Sequence, residues 1–305
     1  GTDAGNRDTS DAPLWFFVAC EELLAAESSD EFLEEIWDGR SLRQILRSIG
    51  GHLLHGTANG IHVDPESGLL FSPAHFTWMD TNFPAGTPRE GYPVEIQALW
   101  CSALRFLTRI DSENPRWAAL ARQVRQMLLE LYYRPSDGFL ADCLHAAAGT
   151  PASKAETDDA LRPNQLLALT LGALDDADRA RRIVGACEEL LVPGAIRSLA
   201  DRPLARPLPI LHRGRLLNDP LRPYQGKYLG DEDTARKPAY HNGTAWTWLF
   251  PSFCEAYADV YGRPGVRTAL AWLGSSSIVI NRGCVGNVPE ILDGDAPHTP
   301  RGCDS

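Results

Sequence analysis

Three segments of the sequence combine acidic and aromatic side chains that could perform chemistry. They span residues 68–93, 240–248 and 286–298. Their carboxylates, together with one just after the first segment, include Asp80, Glu95, Glu290, Asp293 and Asp295. Their ring side chains include Trp78, Tyr92, Tyr240, His241, Trp246 and Trp248. Indole faces cover the apolar faces of a sugar while acids and amides bond to its hydroxyl groups, so this combination points to sugar binding.

Two carboxyl groups at such a site are the minimum for hydrolysing a glycosidic bond. One protonates the leaving oxygen, and the other acts as a base or as a nucleophile. Motifs of other chemistries, namely G-x-S-x-G, the P-loop and H-E-x-x-H, are absent from the sequence. The spacing of Cys, His and Asp does not fit a zinc site either. We therefore expect neither a metal nor another cofactor.

Each of these residues also has a purely structural explanation. Glu95 falls in the first turn of a predicted helix, where the helix dipole favours an acid. Asp293 and Asp295 flank Gly294, which is an ordinary turn composition. A histidine in the position of His241 is more often a hydrogen-bonded loop residue than a catalytic one. Core packing at helical spacing is the more common role for three other indoles, those of Trp100, Trp117 and Trp272.

Composition limits the classes of partner and compartment. A formal net charge of −11 argues against nucleic acid or an anionic membrane as partner. No apolar run approaches the roughly 20 residues that cross a bilayer. Seven scattered cysteines without a C-x-x-C pair predict buried free thiols in a reducing compartment, so we expect a cytoplasmic protein. The start at Gly1, with no signal peptide, indicates a cleaved tag or a fragment.

The first candidate segment is a long loop that leads into a helix. Turn-forming Pro and Gly residues fill it up to Pro93, and apolar residues then recur at helical spacing from Val94 to Leu107. Pro93 suits the first helical position. Loops of this length inside a compact domain are usually functional or disordered, and the aromatic content argues against disorder. We interpret this loop as one wall of an active site.

The rest of the chain is predicted to be mainly helical. A short hairpin is expected over residues 61–72, and residues 193–240 show little periodicity. Two helices are predicted to begin at residue 93 and near residue 114. Six others are predicted over residues 11–27, 30–55, 162–174, 178–192, 243–262 and 265–280. No linker or fixed repeat divides the chain. One predominantly α-helical domain over residues 1–305, with its function on the long loops, is the prediction.

Five motifs occur in an order that resembles a known family. They are DAPLWFF at residues 11–17, WMD…GTPREGYPVEIQALW at 78–100, RPNQLLAL at 162–169, YHNGTAWTWLFPSFCEAY at 240–257 and VPEILDGDAPHTPRGC at 288–303. Together they resemble the C-terminal amylo-α-1,6-glucosidase domain of glycogen debranching enzymes. The resemblance implies an all-α fold, the (α/α)6 barrel of glucoamylase-like hydrolases, with the site at one mouth. It also implies that the substrate is glycogen or another branched α-glucan.

The resemblance assigns roles to particular positions. Asp80 corresponds to the proposed general acid, and Glu290 to the proposed general base, of an inverting exo-α-1,6-glucosidase that removes glucose stubs at branch points. Inversion requires carboxyl groups roughly 6.5–9.5 Å apart, and the pKa of Asp80 must be raised by burial or by neighbouring acids. The positions that would line the glucose pocket are Asp11, Trp15, Trp78, Arg89, Glu95, Asn164, Gln165, His241 and Trp246.

The sequence also departs from this family. Fewer helices are predicted than the twelve of a complete barrel, the family's W-G-R-D-T motif is absent, and the chain stops at Ser305. We expect a barrel that lacks its first helices and its closing helix, completed by self-association or by a partner domain. Two alternatives stay open. One is a catalytically idle relative that binds glucan or serves as a structural piece; the other is the same barrel acting on trehalose or an α-mannoside.

Overall fold

The computed structural model describes residues 8–27, 29–280, 282–283 and 286–301. Within these ranges α-helices dominate and strands are only two or three residues long. The helices are α1 (Ala12–Glu27), α2 (Leu42–His55), α3 (Val94–Ile110), α4 (Arg116–Met127), α5 (Leu166–Thr170), α6 (Ala177–Cys187), α7 (Lys237–Tyr240) and α8 (Phe250–Ser275). The strands are β1 (Ile36–Trp37), β2 (Arg40–Ser41), β3 (His62–Val63), β4 (Leu70–Phe71), β5 (Gly91–Pro93), β6 (Tyr133–Arg134), β7 (Phe139–Leu140), β8 (Cys143–His145), β9 (Glu156–Thr157), β10 (Leu191–Val192), β11 (Ala195–Arg197), β12 (Leu211–His212), β13 (Arg215–Leu216), β14 (Ala245–Trp246) and β15 (Ile291–Leu292).

Helix α3 lies at the centre of the molecule. It packs against α1, α2, α4 and α5, and α8 in turn packs against α5 and α6. Nearly every residue of α3 up to Leu107 is buried, including polar Gln97 and Ser102. A large apolar cluster surrounds this helix and extends from Leu14 to Ala269. The first turn of α3, which carries Glu95, therefore lies on a rigid element.

The second helix begins later than predicted. Residues 30–41 form a short 3-10 turn and the β1–β2 hairpin instead of helix. The hairpin turns at Asp38 and Gly39, whose φ values are 48° and 74°, as the Asp-Gly dipeptide favours. A capping box then starts α2, because the Ser41 side chain accepts from the Gln44 amide and the Gln44 side chain accepts from the Ser41 amide.

The predicted helix over residues 243–262 also begins later. Its first residues instead form β14, the third strand of the sheet β10–β11–β14–β15. Helix α8 starts at Phe250 and extends to Ser275, but its backbone is not helical at Gly262, so the two predicted helices are present as two segments that meet there. It is kinked at Gly262, where φ is 60° and ψ is −142°. Likewise the sixth helix ends at Cys187 rather than at residue 192, because β10 pairs with β11 from Leu191.

Other sequence predictions are confirmed. The hairpin over residues 61–72 forms, with His62 opposite Phe71 and Val63 opposite Leu70. Pro93 caps α3, one position before the first helical residue. The free, buried thiols are Cys20, Cys101, Cys143, Cys187 and Cys254, whereas Cys284 and Cys303 lie outside the described residues. Among the described helices, none is both long enough and apolar enough to cross a membrane.

Candidate active site

Glu290 is held between a strand and an aromatic ring. It directly precedes β15, whose pairing with β14 fixes the backbone, and the Thr247 amide donates a 3.2 Å hydrogen bond to the Glu290 carbonyl. The Tyr240 hydroxyl donates to Glu290 Oε1, also at 3.2 Å. Burial and then the negative charge of Glu290 raise the pKa of the Tyr240 phenol. Tyr240 therefore stays a hydrogen-bond donor to this carboxylate.

Asp80 lies beside His241, the residue that follows Tyr240. Its Oδ1 is 3.9 Å from His241 Nε2, and its side chain is 68% exposed. Desolvation, followed by the negative charge of Asp11, raises the pKa of Asp80. The charge of Asp80, like that of Glu290, contributes to the raised pKa of Tyr240. Residues distant in sequence thus bring the two predicted catalytic carboxylates to neighbouring side chains, Glu290 to Tyr240 and Asp80 to His241.

Indole and imidazole rings surround these carboxylates in an arrangement that we call the indole cluster. The Trp78 ring is edge-on to His241, Trp246 and Trp248, at centroid distances of 5.2, 5.0 and 5.1 Å. The His241 ring stacks on Trp246 at 5.1 Å, with planes 14° apart. The members of the indole cluster are Trp15, Trp78, Tyr240, His241, Trp246 and Trp248.

His241 is an uncharged polar group within this cluster. Only 1% of its side chain is exposed, and neither ring nitrogen has a hydrogen-bond partner in the part of the chain that the structure describes. Desolvation, then the positive charges of Arg162 and Arg89, lowers its pKa well below the usual value. A neutral imidazole offers one donor and one acceptor, and leaving both unpaired when buried is costly. The ring is therefore a buried polar group without a hydrogen-bond partner in the described residues, 3.9 Å from Asp80.

A buried charge network lies beneath the indole cluster. The Arg89 guanidinium donates to Glu95 Oε1 at 2.5 Å and to Glu95 Oε2 at 2.6 Å, and it donates to Asp142 Oδ2 at 2.7 Å. Asn164 Nδ2 donates to Asp142 Oδ1 at 2.8 Å. Arg162 lies 3.5 Å from Asp142 and donates to the His241 carbonyl at 2.5 Å. The network thus connects α3 to the segment that carries His241.

The pairing in this network is ionic. Burial opposes the charge on Arg89, but Asp142 and Glu95 outweigh it and raise the pKa of the guanidinium well above its usual value. Burial raises the pKa of Glu95 even though Arg89 opposes that shift. The pKa of Arg89 thus favours a charged pair, whereas that of Glu95 favours a protonated carboxyl group. The short parallel bonds from Arg89 to both oxygens of Glu95 have the geometry of a charged pair. We assign charge to both residues.

The predicted pocket residues fall into two sets. The first set belongs to the indole cluster, apart from Asp11, whose charge acts on Asp80; it comprises Asp11, Trp15, Trp78, His241 and Trp246.

Arg89 and Glu95 belong to the buried charge network, and Gln165 is buried beside it. Gln165 accepts from the Leu140 amide and donates to the Arg162 carbonyl. Asn164 joins the two sets, since it accepts the indole N–H of Trp78. The bonds of the second set are made within the charge network and to the backbone, which indicates a supporting role, and sugar contact by those residues stays a prediction.

Several residues of the site were not identified as site residues from the sequence. Asp142 follows a buried apolar strand, β7, and an acid at the end of such a run is a signal that could have marked it. Arg162 stands at the start of the RPNQLLAL motif, but nothing in the sequence shows that it reaches His241. Tyr240 and Trp248 were noted as aromatic residues of a candidate loop without a role. Their contacts depend on the fold.

Comparison with known proteins identifies the family of this chain. The model of a family described as amylo-alpha-1,6-glucosidase matches residues 2–305. Glycogen debranching enzyme of Saccharomyces cerevisiae is 29% identical over 245 residues, covering 65% of this chain and 15% of that protein. The structure of a rhamnosidase from Klebsiella oxytoca with rhamnose bound aligns with a TM-score of 0.52 at 13% identity, covering 97% of this chain and 44% of that one.

The structural likeness, at that identity, concerns the fold alone. This chain spans less than half the length of either protein. The resemblance inferred from the five motifs is nevertheless confirmed by the family model, which covers nearly the whole chain. The chain belongs to the amylo-alpha-1,6-glucosidase family of glycoside hydrolases.

Proposed function

We propose that this chain is an inverting exo-α-1,6-glucosidase that removes single glucose stubs from branch points of glycogen or a related α-glucan. The observation that carries the proposal is the placement of Glu290 on the Tyr240 hydroxyl and of Asp80 3.9 Å from the adjacent His241, beside the indole cluster. Family membership and a debranching relative support the choice of bond and sugar. An idle glucan-binding relative could have lost either carboxylate, but this chain has both.

The proposed reaction needs one carboxyl group to be protonated and the other to be ionised. Asp80, whose pKa is raised, donates its proton to the glycosidic oxygen as the C1–O bond breaks. Glu290, oriented by the Tyr240 hydroxyl, takes a proton from a water that attacks C1 from the opposite face. The free sugar leaves with inverted configuration. A sugar bound over Asp80 would remove more water from its carboxyl group and raise its pKa further.

Other side chains would bind and orient the glucose. The partly exposed Trp78 indole offers apolar surface to the ring, and the buried Trp246 and His241 rings, which contact Trp78, would hold it in place. Arg89 and Glu95 would act from beneath, by fixing Asn164 and through it the Trp78 ring. Asp11 would act by keeping the pKa of Asp80 raised.

The finer architecture belongs to the same proposal. A single domain over residues 1–305 and an (α/α)6 barrel are supported by the helical contacts around α3 and by the rhamnosidase likeness. Completion by self-association or a partner domain is supported by exposed apolar side chains, among them Phe16 and Leu23 on α1 and Leu270 on α8. Five buried free thiols support a reducing, cytoplasmic location.

The test is release of glucose from a limit dextrin whose branches are single α-1,6-linked glucose residues. We expect the wild-type chain to release glucose from it, and Asp80→Asn and Glu290→Gln to reduce the rate at least about 10³-fold. Asp178→Asn, an exposed acid at the start of α6, is the matched control and should retain the wild-type rate.

Trehalose and an α-mannoside are the competing substrates in the same assay. If either is hydrolysed faster than the limit dextrin, the chain acts on another α-linked sugar. A folded wild-type chain that hydrolyses none of them but still binds glucan would be an idle relative, and the proposal would be wrong.

A further inference from the structure

Phe83 is an exposed aromatic side chain beside the proposed general acid. Its side chain is 57% exposed, and it stands three residues after Asp80, so the two Cα atoms are at most about 11 Å apart. The backbone holds it in a tight turn, because Asn82 and Ala85 pair across Phe83 and Pro84. A large exposed apolar ring held in this way is available to a ligand.

A second segment of the chain meets Phe83 from outside the indole cluster. The ring of His212 lies 5.3 Å from that of Phe83, with planes 62° apart. His212 is on the β12–β13 hairpin, which turns at Arg213 and Gly214 with φ values of 50° and 78°. The Nδ1 atom of His212 is buried and has no hydrogen-bond partner among the described residues. The two rings, which we call the Phe83 platform, thus combine an apolar surface with an unused polar atom.

The platform is fixed relative to the proposed catalytic groups. Asn242 Nδ2 donates to the Gly86 carbonyl at 3.2 Å and to the Pro238 carbonyl at 3.0 Å. A Cβ added at Gly86 would lie 3.4 Å from Asn242 Nδ2, so the turn is packed closely on the segment that carries Tyr240 and His241. One end of the turn therefore leads to Asp80 and the other is anchored beside the indole cluster.

The geometry of the proposed reaction indicates which part of the substrate binds at the Phe83 platform. A general acid must stand next to the leaving-group oxygen, and the base acts from the opposite face of the sugar. In a branched glucan the leaving group is the α-1,4-linked main chain. Phe83 is next to Asp80 and makes its ring contact with His212 rather than with the indole cluster. We propose that the Phe83 platform binds this main chain, with Phe83 stacking on one of its glucose rings. The inference takes its substrate from the proposed function.

The test is the affinity of the chain for maltohexaose, a linear α-1,4-linked probe, measured by isothermal titration calorimetry. A lost ring contact of roughly 0.5–1.5 kcal/mol predicts that Phe83→Ala weakens binding about twofold to tenfold. Phe83→Tyr, which keeps the ring, should restore the affinity. His212→Ala should weaken binding as well, since it removes the other half of the platform.

Trp37 supplies a matched control. It is 64% exposed on the β1–β2 hairpin, next to the start of α2. Arg43 of α2 donates to the carbonyl of Ile110, at the C-terminal end of α3. The 17 residues of α3 span about 25 Å, so this hairpin lies far from Glu95 and the site. Trp37→Ala should leave maltohexaose binding unchanged.

A substrate without a main chain separates the platform from the catalytic groups. With α-glucosyl fluoride the leaving group is fluoride, so Phe83→Ala should keep the wild-type rate while kcat/KM on the limit dextrin falls about as much as the affinity. Equal maltohexaose affinities of wild type and Phe83→Ala, or no binding by folded wild type, would overturn the inference. If wild type releases no glucose yet binds maltohexaose through Phe83, the proposed glucosidase fails and the platform stands.

Discussion

The indole N–H of Trp78 donates a 2.9 Å hydrogen bond to Oδ1 of Asn164. Asn164 in turn donates to Asp142, which is paired with Arg89. The partly buried Trp78 ring is therefore linked through one buried amide to charges at the start of α3. We infer that stability of the fold and orientation of the indole cluster depend on the same network, and that the two can be separated by substitutions.

Removing Arg89 should destabilise the fold strongly. Arg89→Met leaves Glu95 and Asp142 as buried carboxylates without their main partner, which costs about 3–5 kcal/mol of the free energy of unfolding. Urea denaturation followed by circular dichroism measures this. Arg181→Met is the matched control, since Arg181 and its partner Asp178 are both exposed and their pair contributes at most about 1 kcal/mol. Equal losses in the two variants would contradict the ionic assignment of the network.

Removing the hydroxyl of Tyr240 should impair catalysis more than folding. Tyr240→Phe deletes the donor to Glu290, and a hydrogen bond to a charged group is worth about 1.5–3 kcal/mol, so kcat should fall roughly tenfold to a hundredfold. Tyr224→Phe deletes a chemically similar bond, to Asp295, and should leave kcat within about twofold of wild type. A wild-type kcat in Tyr240→Phe would show that Glu290 needs no orientation by this phenol.

The pH dependence of activity should respond to Asp11. Asp80 must be protonated to donate, so kcat/KM falls as pH rises through its raised pKa. Asp11→Asn removes a negative charge that raises this pKa while keeping a side chain able to cap α1. The alkaline limb of the kcat/KM profile should therefore move to lower pH. Asp178→Asn, at the start of α6, should not move it; an unmoved limb in Asp11→Asn would exclude Asp80 as the titrating acid.

His241 should make the fold sensitive to acid. Its pKa is lowered in the folded chain, so below about pH 6.5 the unfolded chain takes up a proton that the folded chain does not. The free energy of unfolding of wild type should then fall by about 1.4 kcal/mol more per pH unit than that of His241→Phe, which keeps a ring against Trp246. Urea denaturation between pH 6 and pH 5 measures both slopes, and parallel slopes would mean that the buried imidazole is charged.

Local signals in the sequence predicted much of the helical framework. Helix α1 and the β3–β4 hairpin were recognisable from periodicity and turn residues. The start of α2 was missed although its signals are local, namely Asp38-Gly39 and the Ser41 capping box. Trp246 in a strand was not predictable in this way, because β14 exists only through pairing with β11 and β15.

The site shows the same division. Sequence motifs identified Asp80 and Glu290, whereas the side chains next to them became known only from the fold. Tyr240 reaches Glu290, and Arg162 reaches the His241 carbonyl, across sequence separations that no local pattern reveals. Asp142 sits beneath the site because β8 pairs with β5 and so brings the preceding residue to Arg89.

The anomer of the first product tests the central claim most directly. Proton NMR would follow glucose as it is released from the limit dextrin, before mutarotation mixes the two forms. If Asp80 and Glu290 are an inverting pair, wild type gives β-glucose first, and Asp80→Asn and Glu290→Gln each lose that signal by at least about 10³-fold in rate. Initial α-glucose, or β-glucose at the wild-type rate from either variant, would contradict the assignment.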